Sequence, residues 1–390
     1  MSNRLKKWIL MALISLGAGS AMAEDTGLIT VEPQAAGFRP ELLDLIGPMV
    51  EGERAAGQFA GCVVAIGRGG KLAMLEAYGH RQLEPAQQEM TVDTVFDMAS
   101  LTKPVAAGTS IMKLCEQGGL SLEDLARTRL PGLVGEGSET ITIEHLLTHH
   151  AGYVPDNSLE DYKHGVDEAW RRLLTLKTQT PPGTRFKYSD VGFELLGKIV
   201  EEVSGRPLDQ FAREEVFEPI GMADTGYLPD EARRSRAAAS EPRDGVMLVG
   251  EVHDPRAALL GGVAGHAGLF STAKDMARYA TMMLGGGQIG GVRVLDEETV
   301  DEMTRARDVS GQRRAAGWDA QSAYSSNRGK LLSDRAFGHG GFTGTAMWID
   351  PELDLFVIVL SNRLHPDGKG NVNPLAGRIG TVAAAALLVP

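Results

Sequence analysis

Cysteine is scarce in this 390-residue chain: it has two, Cys62 and Cys115, and neither sits in a metal-ligand spacing such as C-x-x-C. Basic charge is in the minority, with 39 Lys and Arg against 51 Asp and Glu and a net charge of −12. That balance argues against nucleic acid or an anionic membrane surface as partner. Long apolar runs are absent: the stretch Trp8 to Gly17 is too short to span a bilayer comfortably. No repeat, low-complexity block or long linker follows residue 23. There is no G-x-S-x-G elbow of the α/β-hydrolase kind and no H-E-x-x-H zinc signature. Gly69-Gly70-Lys71 is followed by Leu72 instead of Ser or Thr, so it reads as a hairpin turn, not a phosphate loop.

What is present begins with a cleavable export signal over residues 1–23. Arg4, Lys6 and Lys7 precede the apolar stretch, and Ala21-Met22-Ala23 supplies the small-x-small cleavage pattern. Its removal would leave 367 residues starting at Glu24; three basic groups and no acidic one go with it, so the net charge becomes −15. The expected location is periplasmic or secreted, with no stable membrane span in the mature form. Under oxidising conditions Cys62, in a strand-like run, and Cys115, on a helix-like one, could be bridged or remain two buried thiols.

The length suffices for a large core and two lobes. Pro40–Gly57 reads as an amphipathic helix, and Gly61–Gly67 and Lys71–Tyr78 as a hairpin. Thr345–Ile349 and Leu355–Leu360 form a second hairpin around a Pro-containing turn, followed by a helical Pro374–Leu388. Between these ends, Ile141–Thr148, Val166–Leu176, Val191–Ser204 and Leu208–Phe217 carry helical periodicity. The predicted fold is α/β (α+β): an antiparallel sheet flanked by helices and built from both chain ends, with an inserted, mostly helical lobe. The expected division is 24–115 with 255–390 for the α/β lobe and 116–254 for the helical lobe, with the site in the cleft between them.

Three short motifs carry chemistry. In Ser100-Leu101-Thr102-Lys103, positions i and i+3 of a helix place hydroxyl and amine side by side. Pro104 puts Ser100 near the helix start, where free N–H groups favour developing negative charge. Lys103 is the expected base, provided its surroundings lower its proton affinity. Tyr188-Ser189-Asp190 lies at a loop-to-helix junction, where Tyr188 could relay a proton. His339-Gly340-Gly341-Phe342 precedes the last hairpin. Its glycines allow close approach of substrate, and the N–H groups of Phe342 and Ser100 could hold an oxyanion.

Together, in this order, the motifs resemble those of the serine β-lactamases and low-molecular-mass penicillin-binding proteins, a group that includes class C β-lactamases, DD-peptidases and related esterases. Phe96-Asp97-Met98-Ala99, Leu146–Gly152, Leu195–Ile199 and Pro219–Met222 are similar to the same group. The resemblance implies a Ser100 acyl-enzyme on an ester or amide, with no metal or organic cofactor. The implied catalytic residues are Ser100, Lys103 and Tyr188, and Asp190, His339, Gly340 and Gly341 would meet substrate. Two positions depart from the pattern. Asp190 stands where Asn is usual, and a carboxylate cannot donate to a substrate carbonyl and can pair with Lys103. His339 stands where β-lactam-hydrolysing members carry Lys.

The Gly-rich stretch from Val252-His253-Asp254-Pro255 to Gly261–Ser271 is similar to that of cell-wall-directed members, DD-carboxypeptidases and muropeptide amidases. It implies a peptidoglycan-derived substrate and makes His253 and His266 either substrate contacts or loop stabilisers. A β-lactamase or small-ester carboxylesterase of the same fold is the alternative, as is a sensor module without turnover. His145, His149 and His150 lie close enough to raise a metallohydrolase reading, but no third ligand is specified beyond the pair four residues apart.

Overall fold

A computed structural model describes residues 27–388; the proposed export signal lies outside them. Five long strands dominate: β1 (Gly61–Arg68), β2 (Lys71–Gln82), β3 (Phe337–Gly341), β4 (Thr345–Asp350) and β5 (Leu355–Ser361). They are ordered β2-β1-β5-β4-β3, all antiparallel, so the first hairpin of the chain pairs directly with its last strand. The sheet continues past β3 through the short strands Asp319–Gln321, Gln312–Arg314 and Arg307–Val309. One pairing departs from the antiparallel expectation: Ile29–Thr30 joins the outer edge parallel to β2.

Why these segments are strands follows from their alternation. On β1, Val63 and Ala65 enter one core while Cys62, Val64 and Ile66 enter the other. On β5, Phe356, Ile358 and Leu360 face the first, and Leu355, Val357 and Val359 the second. With both faces buried, the strands read as unbroken apolar runs. Each such side chain contributes roughly 1.5–3 kcal/mol by leaving water. Both cysteines are free; Cys62 is buried and Cys115 half-buried.

Helices α1 (Ile46–Ala55) and α5 (Asn373–Ala385) cover the second face through Ile46, Val50, Leu375 and Ile379. Helix α4 (Ala273–Leu284) covers the first. Beyond it lie α2 (Thr109–Glu116) and α3 (Asp190–Ser204), with the rest of the helical half. A single apolar cluster runs from the sheet through Met276 and Ala280 to Phe193, Leu196 and Phe211. The start of α3, the turn before α2 and the end of β3 meet along one continuous core, which fixes their spacing.

Candidate active site

The candidate nucleophile sits on a distorted turn, not on the regular helix expected from its spacing. Ala99–Leu101 is a 3₁₀ turn, Lys103–Gly108 a π-helix, and only Thr109 onward is α-helical. The Thr109 hydroxyl donates to the Pro104 carbonyl at 2.9 Å, five residues back, within this widened turn. Ala99 is held at φ 45°, a conformation that costs a non-glycine residue about 1–3 kcal/mol. Its N–H donates to Asp97 Oδ1 at 2.8 Å, and Asp97 Oδ2 accepts the His253 N–H at 2.7 Å. Asp97 is half-buried, and desolvation pushes its carboxyl above the usual range. The strand edge clasps the same turn from the other side. Thr343 donates to the Asp97 carbonyl at 2.7 Å and Thr345 to that of Met98 at 3.0 Å. Gly341 is required here: a Cβ would lie 2.5 Å from the Met98 carbonyl oxygen and 2.2 Å from Thr345 Oγ1.

Ser100 and Lys103 meet as expected, with Lys103 Nζ donating to Ser100 Oγ at 3.0 Å. Lys103 is fully buried; Nζ also donates to the His266 carbonyl at 3.0 Å and ion-pairs with Asp190 Oδ1 at 2.7 Å. Burial pulls the ammonium's pKa down, but the Asp190 charge and the Tyr188 hydroxyl outweigh it, and the net shift is upward. Lys103 therefore rests charged. Tyr188 lines the cavity beside Ser100 with Lys103 Nζ 5.1 Å from its ring centroid, and burial pushes its pKa up despite the nearby ammonium.

Tyr188 is placed by a neighbour to which sequence reasoning gave no such part. The His149 ring stacks on it with centroids 4.2 Å apart, and His149 Nδ1 accepts the Ser189 N–H at 3.1 Å. Burial first, then Arg314 and Lys103, hold His149 well below its ordinary pKa, so the ring is neutral. His145 and His150 contact each other edge-on instead. The three histidines do not converge; the grouping with ligand-like spacing among the described residues is Asp190, Asp254 and His266. Its Asp190 already holds the Lys103 ammonium.

A cavity of about 500 Å³ opens on Ser100 and Tyr188 and is lined by His339, Gly340, Gly341 and Phe342. Arg314, Asp319, Tyr324 and Asn327 line it as well, as do Arg363 and Asn373. His339 is buried and donates from Nδ1 to its neighbour's carbonyl, Gly340 O, at 2.7 Å. Burial, Arg314 and Lys103 hold it neutral, so Nε2 remains an acceptor with no partner among the described residues. Phe342 is 61% exposed at the mouth, with the His253 ring stacked behind it at 5.5 Å and Arg363 over its face. His253 does not line the cavity; its Nε2 lies 2.5 Å from Glu241. His266 is also absent from the cavity wall: its ring is buried between Asp254 and Glu194, behind Lys103.

Arg314 was not singled out by the sequence. Arg313-Arg314 belongs to none of the motifs in the sequence, and only the sheet order brings Arg314 to the cleft. Its side chain is fully buried, 3.4 Å from Asp319 Oδ1 and stacked over the Phe186 ring. None of its three guanidinium nitrogens has an aligned hydrogen-bond acceptor among the described residues. Burial lowers its pKa, and Asp319 offsets this in part.

Known proteins agree with this architecture. The chain is 31% identical to an N-acetylmuramyl-L-alanine amidase of Bacillus subtilis (strain 168), over 89% of this chain and 87% of that one. It is 28% identical to a putative D-alanyl-D-alanine carboxypeptidase of Salmonella schwarzengrund (strain CVM19633), over 97% and 96% of the two chains. The fold superposes on a penicillin-binding protein homologue from Caulobacter crescentus with a TM-score of 0.73 at 22% identity, covering 90% of this chain and 99% of that one. The family model described as Beta-lactamase matches residues 46–380, and the chain belongs to that family of serine hydrolases.

Proposed function

We propose that this serine hydrolase opens an amide or ester beside a free carboxylate, in a cell-wall peptide or muropeptide outside the cytoplasm. The observation that carries the substrate class is Arg314: a buried guanidinium with unused N–H groups on the wall of the cavity that holds Ser100. A carboxylate from substrate would supply the bidentate acceptor that Asp319 does not. Arg314 thereby takes the cationic part that the neutral His339 cannot play. The names of the amidase and carboxypeptidase relatives support the same substrate class and an exported location. No helix among the described residues is long and apolar enough to cross a membrane.

The chemistry runs through the Lys103–Asp190 pair. Over 2.7 Å the ammonium can pass a proton to the carboxylate, leaving a neutral amine 3.0 Å from Ser100 Oγ. That amine takes the hydroxyl proton as Ser100 attacks the carbonyl carbon, and the N–H groups of Ser100 and Phe342 receive the oxyanion. Tyr188, beside Ser100 in the cavity, hands its proton to the leaving group and takes one back from Lys103. The amine so freed deprotonates the water that attacks the acyl-enzyme, passes that proton to the departing Ser100 Oγ, and recovers its resting proton from Asp190. Asp190 thus stores a proton instead of donating an amide hydrogen bond.

Intact-mass analysis after fluorophosphonate treatment, with Ser100→Ala alongside, tests the nucleophile; one adduct on Ser100 is expected and none in the variant. Turnover of D-Ala-D-Ala peptides, muropeptides, neutral esters and penicillins by Arg314→Leu tests the substrate. Acid-bearing substrates should lose about 2–4 kcal/mol of transition-state binding, roughly 30- to 1000-fold in kcat/KM, while neutral esters change little. Equal loss on both would remove the carboxylate assignment.

A further inference from the structure

Behind Lys103, outside the cavity, lies a buried group of charges that the acyl-transfer steps leave unused. His266 sits at its centre, 1% exposed. Its Nε2 is 3.0 Å from Asp254 Oδ1, and its Nδ1 is 3.6 Å from Glu194 Oε1. Asp254 is itself fixed, since it caps the helix Pro255–Leu259 by accepting the Arg256 and Ala257 N–H groups at 2.9 and 2.8 Å. Glu194 is buried on α3, one turn after Asp190, and accepts the Tyr162 hydroxyl at 2.8 Å. Asp190, Asp254 and the His266 ring offer atoms that all lie within 4.8 Å of one another.

The backbone at this point is equally constrained. A Cβ on Gly265 would fall 2.0 Å from the Phe193 carbonyl oxygen, so the residue before His266 is pressed flat against α3. The His266 carbonyl, held between this contact and the ring's two carboxylate partners, accepts the Lys103 ammonium at 3.0 Å. The main chain and side chain of one residue therefore act on the two halves of the Lys103–Asp190 pair. The buried Glu194 and the partly buried Asp254 around one imidazole call for a cation, because an uncompensated buried charge costs several kcal/mol.

We propose that His266 is a positioning residue for the reaction: clamped between Asp254 and Glu194, it aims its own carbonyl at Lys103 and balances the carboxylates packed behind the Lys103–Asp190 pair. This rests on the acyl-transfer reading for its effect on rate, but the clamp itself does not. The charged groups that face the ring are Asp254 from its helix cap, and Glu194 and Asp190 from α3. Lys103 faces its carbonyl, and Asp156 and Arg256 lie further out.

The signs of two substitutions separate this role from a merely structural one. His266→Gln removes a positive charge and leaves Asp254 and Glu194 uncompensated, so Lys103 holds its proton more tightly. Glu194→Gln removes a negative charge, can still bond the Tyr162 hydroxyl, and acts in the opposite direction. The readout is the pH dependence of fluorophosphonate labelling of Ser100. In His266→Gln the acid limb should move up by ~1 pH unit, with at least ~10-fold slower labelling near neutrality. In Glu194→Gln the limb should move down. A limb unmoved in the folded variants, or moved the same way in both, overturns the proposal; if His266→Gln does not fold, an unmoved limb in Glu194→Gln does so alone.

Histidine-selective ¹⁵N NMR of Ser100→Ala reads the clamp without any chemistry at Ser100. An imidazolium at His266 near pH 8 is the expected signal, and a neutral ring there overturns the clamp. Absence of labelling in the wild type, together with an imidazolium signal, would instead count against the acyl-transfer reading and leave the clamp standing.

Discussion

Asp190 differs from the amide usual at its position by one atom, yet it alters how the proton is held. Lys103 has no exposed surface, and in the absence of a counter-charge burial alone would depress its ammonium. The carboxylate at 2.7 Å reverses that and keeps the resting lysine charged. In Asp190→Asn the counter-charge is gone, so the amine is neutral at lower pH. The acid limb of the kcat/KM profile should therefore move down by about 1 unit or more. A steady-state profile on any turned-over ester checks this, and an upward shift would contradict the proton-store role. The contact between Asp190 and Lys103 was legible in the motif, because S-x-x-K and Y-x-D residues face one cleft. Arg314 and His149 were not legible. Both are polar residues made important by what the sheet and the loop before α3 bring beside them, and neither has a local spacing that distinguishes it from a solvated side chain.

Elements decide how rigidly those residues are held. β3 ends in two glycines because the nucleophile's turn presses on it, and Gly341 has no room for a methyl group. Gly341→Ala must push Met98 or Thr345 aside, so Ser100 should be displaced relative to Tyr188. A shift of even about 1 Å would cost roughly 100-fold in turnover with little change in melting temperature. Parallel activity and thermal-melt measurements check this, and full activity in the alanine variant would show that the edge is more compliant than the contact distances imply. The two hairpins, β1–β2 and β4–β5, were legible from their apolar runs, α3 from its periodicity and α5 from its Ala- and Leu-rich composition. The irregular helix around Ser100 was not. A 3₁₀ turn followed by a π-helix leaves the same S-x-x-K spacing as an α-helix, and the turn is held by Asp97 two residues before Ala99 and by Thr343 and Thr345, which close on it from a distant segment.

For the whole molecule, the buried ionisable groups set a direction for stability against pH. Burial lowers the pKa of His266, but Asp254 and Glu194 raise it to about 9 overall. A folded value above the unfolded one near 6.5 gives stability that is fully present below pH 6.5 and lost as pH rises toward 9. Burial raises Glu194 to about 7, and it raises the Cys62 thiol as well. The unfolded chain releases those protons first, so both act in the same sense. Unfolding free energy should fall by about 3 kcal/mol between pH 6.5 and 9, and a denaturant series across that range reads it directly. A flat profile would mean that the His266 ring is neutral throughout.

The division of the sheet has a consequence for how such an enzyme diversifies. The reactive end of the cleft hangs on the long central strands and on two cores, where almost any change is punished. Arg314 and Asp319 ride instead on three-residue strands beyond β3. A peripheral ribbon of this kind can drift, and each new side chain it presents samples a different substrate without disturbing the machinery beside it. Reactivity and preference are thereby heritable almost independently, and lineages sharing this scaffold can exchange one cargo for another by rewriting its margin.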